Sequence, residues 1–242
     1  MQTGFNGSEQ IGSLVADFPG ASNVLKAYGI DFCCGGNRLL SDVIAEQQLD
    51  RAEVLQKLNE AYSETQARQE TDKDWRHATY RELIEHIINR HHNYLRQEMP
   101  VLGDFITKIV RVHGPHQPEL LAKVEALFQQ MRAELTEHMV AEEEGQFPAI
   151  LAYEETHSQE ALDKALAVIQ SLEDDHVGVG NILKELRLIT SSYALPEWAC
   201  RTYTLTFQKL EEMESDLFQH IHLENNILFP RLALEAKNNC NC

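Results

Sequence analysis

Glu134-Leu-Thr-Glu-His138-Met-Val-Ala-Glu142-Glu-Glu-Gly-Gln-Phe147-Pro148 is the stretch that decides the fold, because the chain repeats its pattern later. The second copy reads Asp216-Leu-Phe-Gln-His220-Ile-His-Leu-Glu224-Asn-Asn-Ile-Leu-Phe229-Pro230. The offset is constant: 216−134, 220−138, 224−142, 229−147 and 230−148 all equal 82. Each copy sets a carboxylate, an imidazole and a carboxylate at i, i+4 and i+8. On an α-helix these three share one stripe, about 6 Å of rise apart. The Phe-Pro after each copy predicts a helix end there, since proline disfavours helix in the residue before it.

A His with a Glu one turn on is how a helix offers two ligands to one metal site. One such pair is commonplace on a helix surface; two inside a repeat are a pattern. Each has a candidate partner upstream: His92 lies 138−92 = 46 residues before His138, and His176 lies 220−176 = 44 before His220. The chain thus reads His, His-x3-Glu, His, His-x3-Glu, one element per helix of a four-helix bundle.

Composition is compatible with this. The 242 residues suffice for one large domain or two unequal ones, and 43% hydrophobic content suits a buried core. Seven prolines and twelve glycines in so long a chain favour helix. A net charge of 21−38 = −17 argues against an extended nucleic-acid or anionic-membrane surface. No apolar run reaches the roughly 18 residues of a membrane span, and the polar N-terminus is no signal peptide, so a cytoplasmic location is expected. Five irregularly spaced cysteines do not make a secreted disulfide framework.

The fold class expected is all-α: a small N-terminal helical domain followed by an up-down-up-down four-helix bundle. Residues 1–62 read as short helices around Asp31-Phe-Cys33-Cys34-Gly35-Gly36, with Gly29 stopping one helix and Asp50-Arg-Ala-Glu53 opening another. Residues 63–73 have no large apolar side chain and read as a linker, helical at its start. The bundle is placed at 74–235. Its first helix opens at Thr79-Tyr-Arg-Glu82 and continues to about Val112 with a kink at Pro100. The others run from Glu119 to about Gly145, Gln159 to Thr190, and Glu197 to about Leu228. Short connections make antiparallel neighbours the economical topology. Residues 236–242, with Cys240 and Cys242, read as a disordered tail.

Four imidazoles and two carboxylates facing one another suit a pair of iron or manganese ions, because a carboxylate bridges two metals where a neutral ligand cannot. Structural zinc fits less well, since it prefers four ligands and some thiolate. Periodicity leaves His91 and His92 both open on the first helix; we take His92, whose register matches His176. Glu134 and Asp216, one turn before their histidines, are placed to orient the imidazoles, or else are solvated helix carboxylates. His77, His113, His116 and His157 fall at helix ends or loops and should face solvent. His222, roughly 200° around the helix from His220, should point elsewhere. Cys200 reads as core of the fourth helix. Cys33 and Cys34 are too close in sequence for an unstrained disulfide. Beside a glycine turn and a helix start their pKa should fall, favouring thiolate; the alternative is two buried small residues in a compact turn.

Together, Tyr28-Gly-Ile-Asp-Phe-Cys-Cys-Gly-Gly36, Asp74-Trp-Arg76, Glu85-His-Ile-Ile-Asn-Arg-His-His92 and the two repeats resemble the iron–sulfur cluster repair di-iron proteins of the YtfE/ScdA type, over nearly the whole chain. The resemblance implies a hemerythrin-like bundle holding two non-haem iron ions, oxo-bridged when oxidised. His92, His138, His176 and His220 would be terminal ligands, with Glu142 and Glu224 bridging. It also implies a Cys-pair domain, with Cys33 and Cys34 as candidate relay thiols. Two features depart from the family pattern: Ala141-Glu-Glu-Glu-Gly145-Gln, where Gly145 would loosen the helix end, and the Cys240-Asn-Cys242 tail.

The function expected is repair of iron–sulfur clusters damaged by nitrosative or oxidative stress, by donation of iron from a labile di-iron centre. Its partners would be damaged iron–sulfur proteins, with nitric oxide or dioxygen as small ligands, and the protein a monomer or homodimer. The alternatives are nitric oxide reduction at the centre and reversible diatomic-gas binding or sensing.

Overall fold

The computed structural model describes residues 4–68 and 73–239, and among these the chain is all-α, with one isolated bridge between Gln10 and Leu39 and no strand. Expected linker residues 69–72 and residues 240–242 of the expected tail 236–242 lie outside the described residues, whereas 236–239 are helical rather than disordered. The chain forms two compact units: Tyr80–Leu217, and Met1–Thr79 with Phe218–Cys242.

Four helical runs build the unit Tyr80–Leu217. The N-terminal unit supplies α1 to α4; here the first run comprises α5 (Tyr80–His86), a π-helical segment Ile87–His92, and α6 (Asn93–His113). Glu154 takes the N-terminal amides of α5, accepting from Tyr80 N at 2.6 Å and Arg81 N at 3.1 Å. Leu95, Met99, Leu102, Ile106 and Ile109 are buried at alternating spacings of four and three, the stripe that turns one helix face inward. The helix continues through Pro100; the irregular hydrogen bonding lies earlier, at Ile87–His92.

The second run is α7 (Pro118–Ala141), a π segment Glu142–Gln146, and α8 (Phe147–Thr156). The helix expected to end at Phe147-Pro148 therefore runs on. Pro148 falls in the first turn of α8, where its missing N–H costs nothing, and the π turn before it re-registers the ladder. Gly145 lies inside that π turn. The third run is α9 (Gln159–Leu166), capped by Ser158 Oγ on Ala161 N at 3.3 Å, then α10 (Ile169–Ile189). One helix was expected here. A turn at Ala167 and Val168, the latter at φ −106° and ψ −5°, divides it.

The fourth run, α11 (Arg201–Leu223), gives its residues through Leu217 to this unit. It begins later than the expected Glu197, after a turn closed by Ala199 N on Pro196 O at 2.9 Å. Cys200 is therefore outside the helix and exposed rather than core, with Sγ 3.1 Å from His113 Nε2. α6 packs on α7 and α7 on α10. α11 closes the ring through Lys209–Glu98 to α6 and Arg187–Glu214 to α10.

The other unit contains α1 (Ile11–Asp17), α2 (Ala21–Ala27), α3 (Leu40–Glu46) and α4 (Arg51–Arg68), with the π segment Glu224–Leu228 and α12 (Phe229–Asn239). Gly29 at φ +67° ends α2, and Asp50 Oδ1 caps α4 by accepting from Ala52 N at 2.8 Å. α4 reaches Arg68, so the start of the 63–73 stretch is helical. α1 packs on the π segment, and Arg231 donates to the Trp75 and Ala78 carbonyls at 3.1 and 2.8 Å.

Candidate metal centre

The repeat seen in the sequence is repeated in the backbone. Both π segments begin at the glutamate and end before Phe-Pro, and 224−142 and 228−146 again equal 82. A third π segment ends at His92. Such bulges insert a residue into a helix and concentrate where side chains must be re-aimed.

In the unit Tyr80–Leu217, His92, His138, Glu142 and His176 converge. His92 Nε2 lies 3.3 Å from Glu142 Oε2, His138 Nε2 lies 3.4 Å from the same oxygen, and His176 Nε2 lies 3.0 Å from His138 Nε2. All four are buried, Glu142 and His92 completely. The outer nitrogens face carboxylates: His92 Nδ1 donates to Glu143 Oε1 at 2.6 Å, and His138 Nδ1 to Asp175 Oδ2 at 3.3 Å. Arg96 Nη2 donates to the same Glu143 oxygen at 2.8 Å.

That arrangement tests whether a cation fits. A proton held on Nδ1 by a carboxylate leaves a lone pair on Nε2. The inward nitrogens of His92 and His138 both face one oxygen of the Glu142 carboxylate, so a neutral imidazole of that tautomer would present its lone pair there to a cation. Donor atoms about 2.1 Å from one ion and at right angles sit about 3 Å apart, close to these spacings. A fully buried carboxylate also costs several kcal/mol unless positive charge accompanies it. The donor set fits a metal ion.

In the other unit, His220 Nε2 is 3.0 Å from Glu224 Oε1, both buried. His222, on the same helix, points away as expected. Its ring lies edge-on to Phe32, with Nδ1 3.3 Å from Asn226 Nδ2, and burial pushes its pKa down to about 4.

Several neighbours differ from the sequence reading. Glu134 accepts from Gln130 Nε2 at 2.9 Å, and Asp175 instead stands on His138 Nδ1. Asp216 is buried and accepts from His91 Nδ1 at 3.1 Å, so His91 is an interior histidine as well. Sequence reasoning missed Glu143 and Asp175; the available signal was an acid directly beside each of two ligand candidates, Glu142 and His176.

No disulfide joins Cys33 and Cys34; Cys33 is buried and Cys34 half-buried. Asp31 Oδ1 accepts from the N–H groups of Cys33, Cys34 and Gly35 at 3.1, 3.0 and 3.2 Å. The expected lowering of pKa is not found for Cys33. Its hydrogen bond with Cys34, its burial and the Asp31 carboxylate raise it well above the ordinary thiol range. Asp31 also occupies the amide N–H groups of the turn, so these do not offset that rise. Asn226 Nδ2 donates to the Phe32 and Cys33 carbonyls at 3.2 and 3.0 Å, and a Cβ on Gly12 or Gly36 would run into its Oδ1.

A helical protein with buried His and Glu donors on repeated His-x3-Glu turns is a cation-binding protein of the hemerythrin class. The hemerythrin HHE cation binding domain model matches residues 83–232, and the ScdA_N model, a domain of unknown function, matches residues 7–62. The chain belongs to the ScdA/YtfE family of iron–sulfur cluster repair proteins, as the resemblance implied. It is 33% identical over 223 residues to the iron-sulfur cluster repair protein ScdA of Staphylococcus haemolyticus, covering 92% of this chain and 97% of that one. It is 36% identical over 225 residues to YtfE of Citrobacter koseri, covering 92% and 96%. A probable iron-sulfur cluster repair protein of Haemophilus influenzae is 32% identical over 227 residues, covering 94% and 97%. No helix among the described residues is long and apolar enough to cross a membrane.

Proposed function

We propose that this protein repairs iron–sulfur clusters damaged by nitrosative or oxidative stress, donating iron from a pair of non-haem ions. His92, His138, His176 and His220 would hold the ions terminally and Glu142 and Glu224 would bridge them, with Cys33 and Cys34 as relay thiols. The observation that carries the reading is the convergence of imidazole lone pairs on the buried carboxylate of Glu142, with Glu143 and Asp175 behind two of them. The cation-binding domain match takes in all six residues, and the relatives carry the repair name.

Bound iron would supply a labile, redox-active store. The protein's part is to keep it deliverable. Glu143 and Asp175 hold the outer imidazole protons, so the inner nitrogens stay ready as donors. Glu143 is shared with Arg96 and partly exposed, and Asp175 behind His138 is more exposed still, so surface events can reach the orientation of both imidazoles. A carboxylate can swing between bridging and terminal modes, which lowers the cost of releasing one ion. Cys33 and Cys34, not joined by a disulfide, suit the reducing cytoplasm, where we place the protein.

The test is anaerobic incubation of the reduced, iron-loaded protein with nitric oxide and, separately, with a nitrosylated cluster protein. Donation predicts recovery of the cluster with matching loss of iron from this protein. Nitrous oxide formation with iron retained and no recovery would replace donation by nitric oxide reduction. Reversible binding with neither outcome would make the protein a gas binder.

A further inference from the structure

The Cys-pair turn holds a further group of donors that stand together. Asp31, Cys33 and Cys34 each offer one donor atom within 4.8 Å of the others. The two thiols are hydrogen-bonded rather than joined by a disulfide: Sγ to Sγ is 3.7 Å, and Cys33 Sγ is 3.2 Å from Asp31 Oδ1. Adjacent residues normally send their side chains apart, so this placement needs a cause. Asp31 supplies one by drawing three successive amides onto one oxygen, which curls the turn. Asn226 supplies another by holding the Phe32 and Cys33 carbonyls.

Two thiolates on one tetrahedral ion, each about 2.3 Å away, stand about 3.8 Å apart. The observed sulfur separation is nearly that distance, so an ion could enter without rearranging the turn. We propose that Asp31, Cys33 and Cys34 form a binding site for one thiophilic divalent cation, separate from the bundle ligands. Two sulfurs select a soft or borderline ion, and the carboxylate adds an oxygen donor. One dication replaces two S–H protons, which leave to solvent. Three protein donors leave a fourth position open, which suits transit more than permanent structural binding. Cys33 is buried and Cys34 half-buried, so exchange would take place on the Cys34 side. The inference deepens the reading of the pair as relay thiols, on which its biological sense rests; the donor geometry stands apart from that reading.

The test uses the full chain carrying Cys200→Ser, Cys240→Ser and Cys242→Ser, titrated with cadmium and followed by the ultraviolet cadmium–thiolate band, with iron content measured alongside. One cadmium per chain with the band is expected, and its loss when Cys33→Ser and Cys34→Ser are added. Asn226→Ala should weaken binding about tenfold, as loss of an outer partner does. If the double Cys variant loses its helical circular dichroism, Cys34→Ser alone decides, and it should roughly halve the band. A band absent from the parent background, or unchanged in the Cys33/Cys34 variants, overturns the site. A band in protein that never holds iron would sink the di-iron reading and spare this one; two irons without a band does the reverse.

Discussion

Glu143 Oε1 accepts from His92 Nδ1 at 2.6 Å, a carboxylate one residue from Glu142 fixing the tautomer of an imidazole on a different helix. Outer partners of this kind typically contribute 10- to 100-fold in metal affinity. Glu143→Ala should therefore weaken iron binding by about tenfold or more, measured by competition with a chelator. Arg96→Ala, which removes only the second donor to Glu143, should have a smaller effect.

The histidines should divide by their inward nitrogens. His92→Ala, His138→Ala, His176→Ala and His220→Ala should each lower iron content, whereas His113→Ala should not. His91→Ala tests a different role. It should keep iron but lose stability, because Asp216 would be left buried beside the vacated ring. Iron loss in His91→Ala with retention in His92→Ala would reverse the assignment.

Glu214 is 1% exposed and paired to Arg187, whose Nε donates to Oε1 at 3.0 Å. Removing one partner of such a pair leaves buried charge and commonly costs about 3 kcal/mol. Arg187→Met, which strands the buried Glu214 carboxylate, should lower the denaturant midpoint accordingly, while Arg187→Met with Glu214→Leu should lose much less.

Gly36 has no room for a side chain while Asn226 is present. Gly36→Ala should destabilise by roughly 1–3 kcal/mol through overpacking. The clashing atoms are Asn226 side-chain atoms beyond Cβ, so Gly36→Ala should cost much less in an Asn226→Ala background. A double-mutant cycle reads this coupling directly.

The Cys33 thiol, raised by its hydrogen bond with Cys34, by burial and by Asp31, is more readily protonated in the fold than in the unfolded chain. Its stability contribution is full below the ordinary thiol pKa and is lost as pH rises through it, because the unfolded chain gives up that proton first. Metal-free protein should thus lose stability between neutral pH and pH about 10, more steeply than Cys33→Ala. Equal slopes in denaturant titrations would contradict this.

The all-α class and the two His-x3-Glu pairings were readable from the chain because helical periodicity is local, while His91 and His92 both stayed open. An i, i+4 spacing puts His138 with Glu142, and His220 with Glu224, on one stripe whatever surrounds them. Family motifs around Tyr28–Gly36 added the Cys pair. What periodicity could not supply was the hydrogen-bonding register inside a helix. The π turns at Ile87–His92, Glu142–Gln146 and Glu224–Leu228 let helices pass Phe147-Pro148 and Phe229-Pro230, where a local proline rule predicts an end. Nor could it supply partners distant in sequence. Glu143 meets His92 across 51 residues, and Asn226 meets Cys33 across 193. The sign of the Cys33 pKa shift turned on the Cys34 thiol, on burial and then on the Asp31 carboxylate, because the curl of the turn, not its composition, brings these groups together. Sequence spacing therefore determined which groups share a helix face. Tertiary packing decided which of them are buried, which way each imidazole holds its proton, and whether a thiol gains or loses its own.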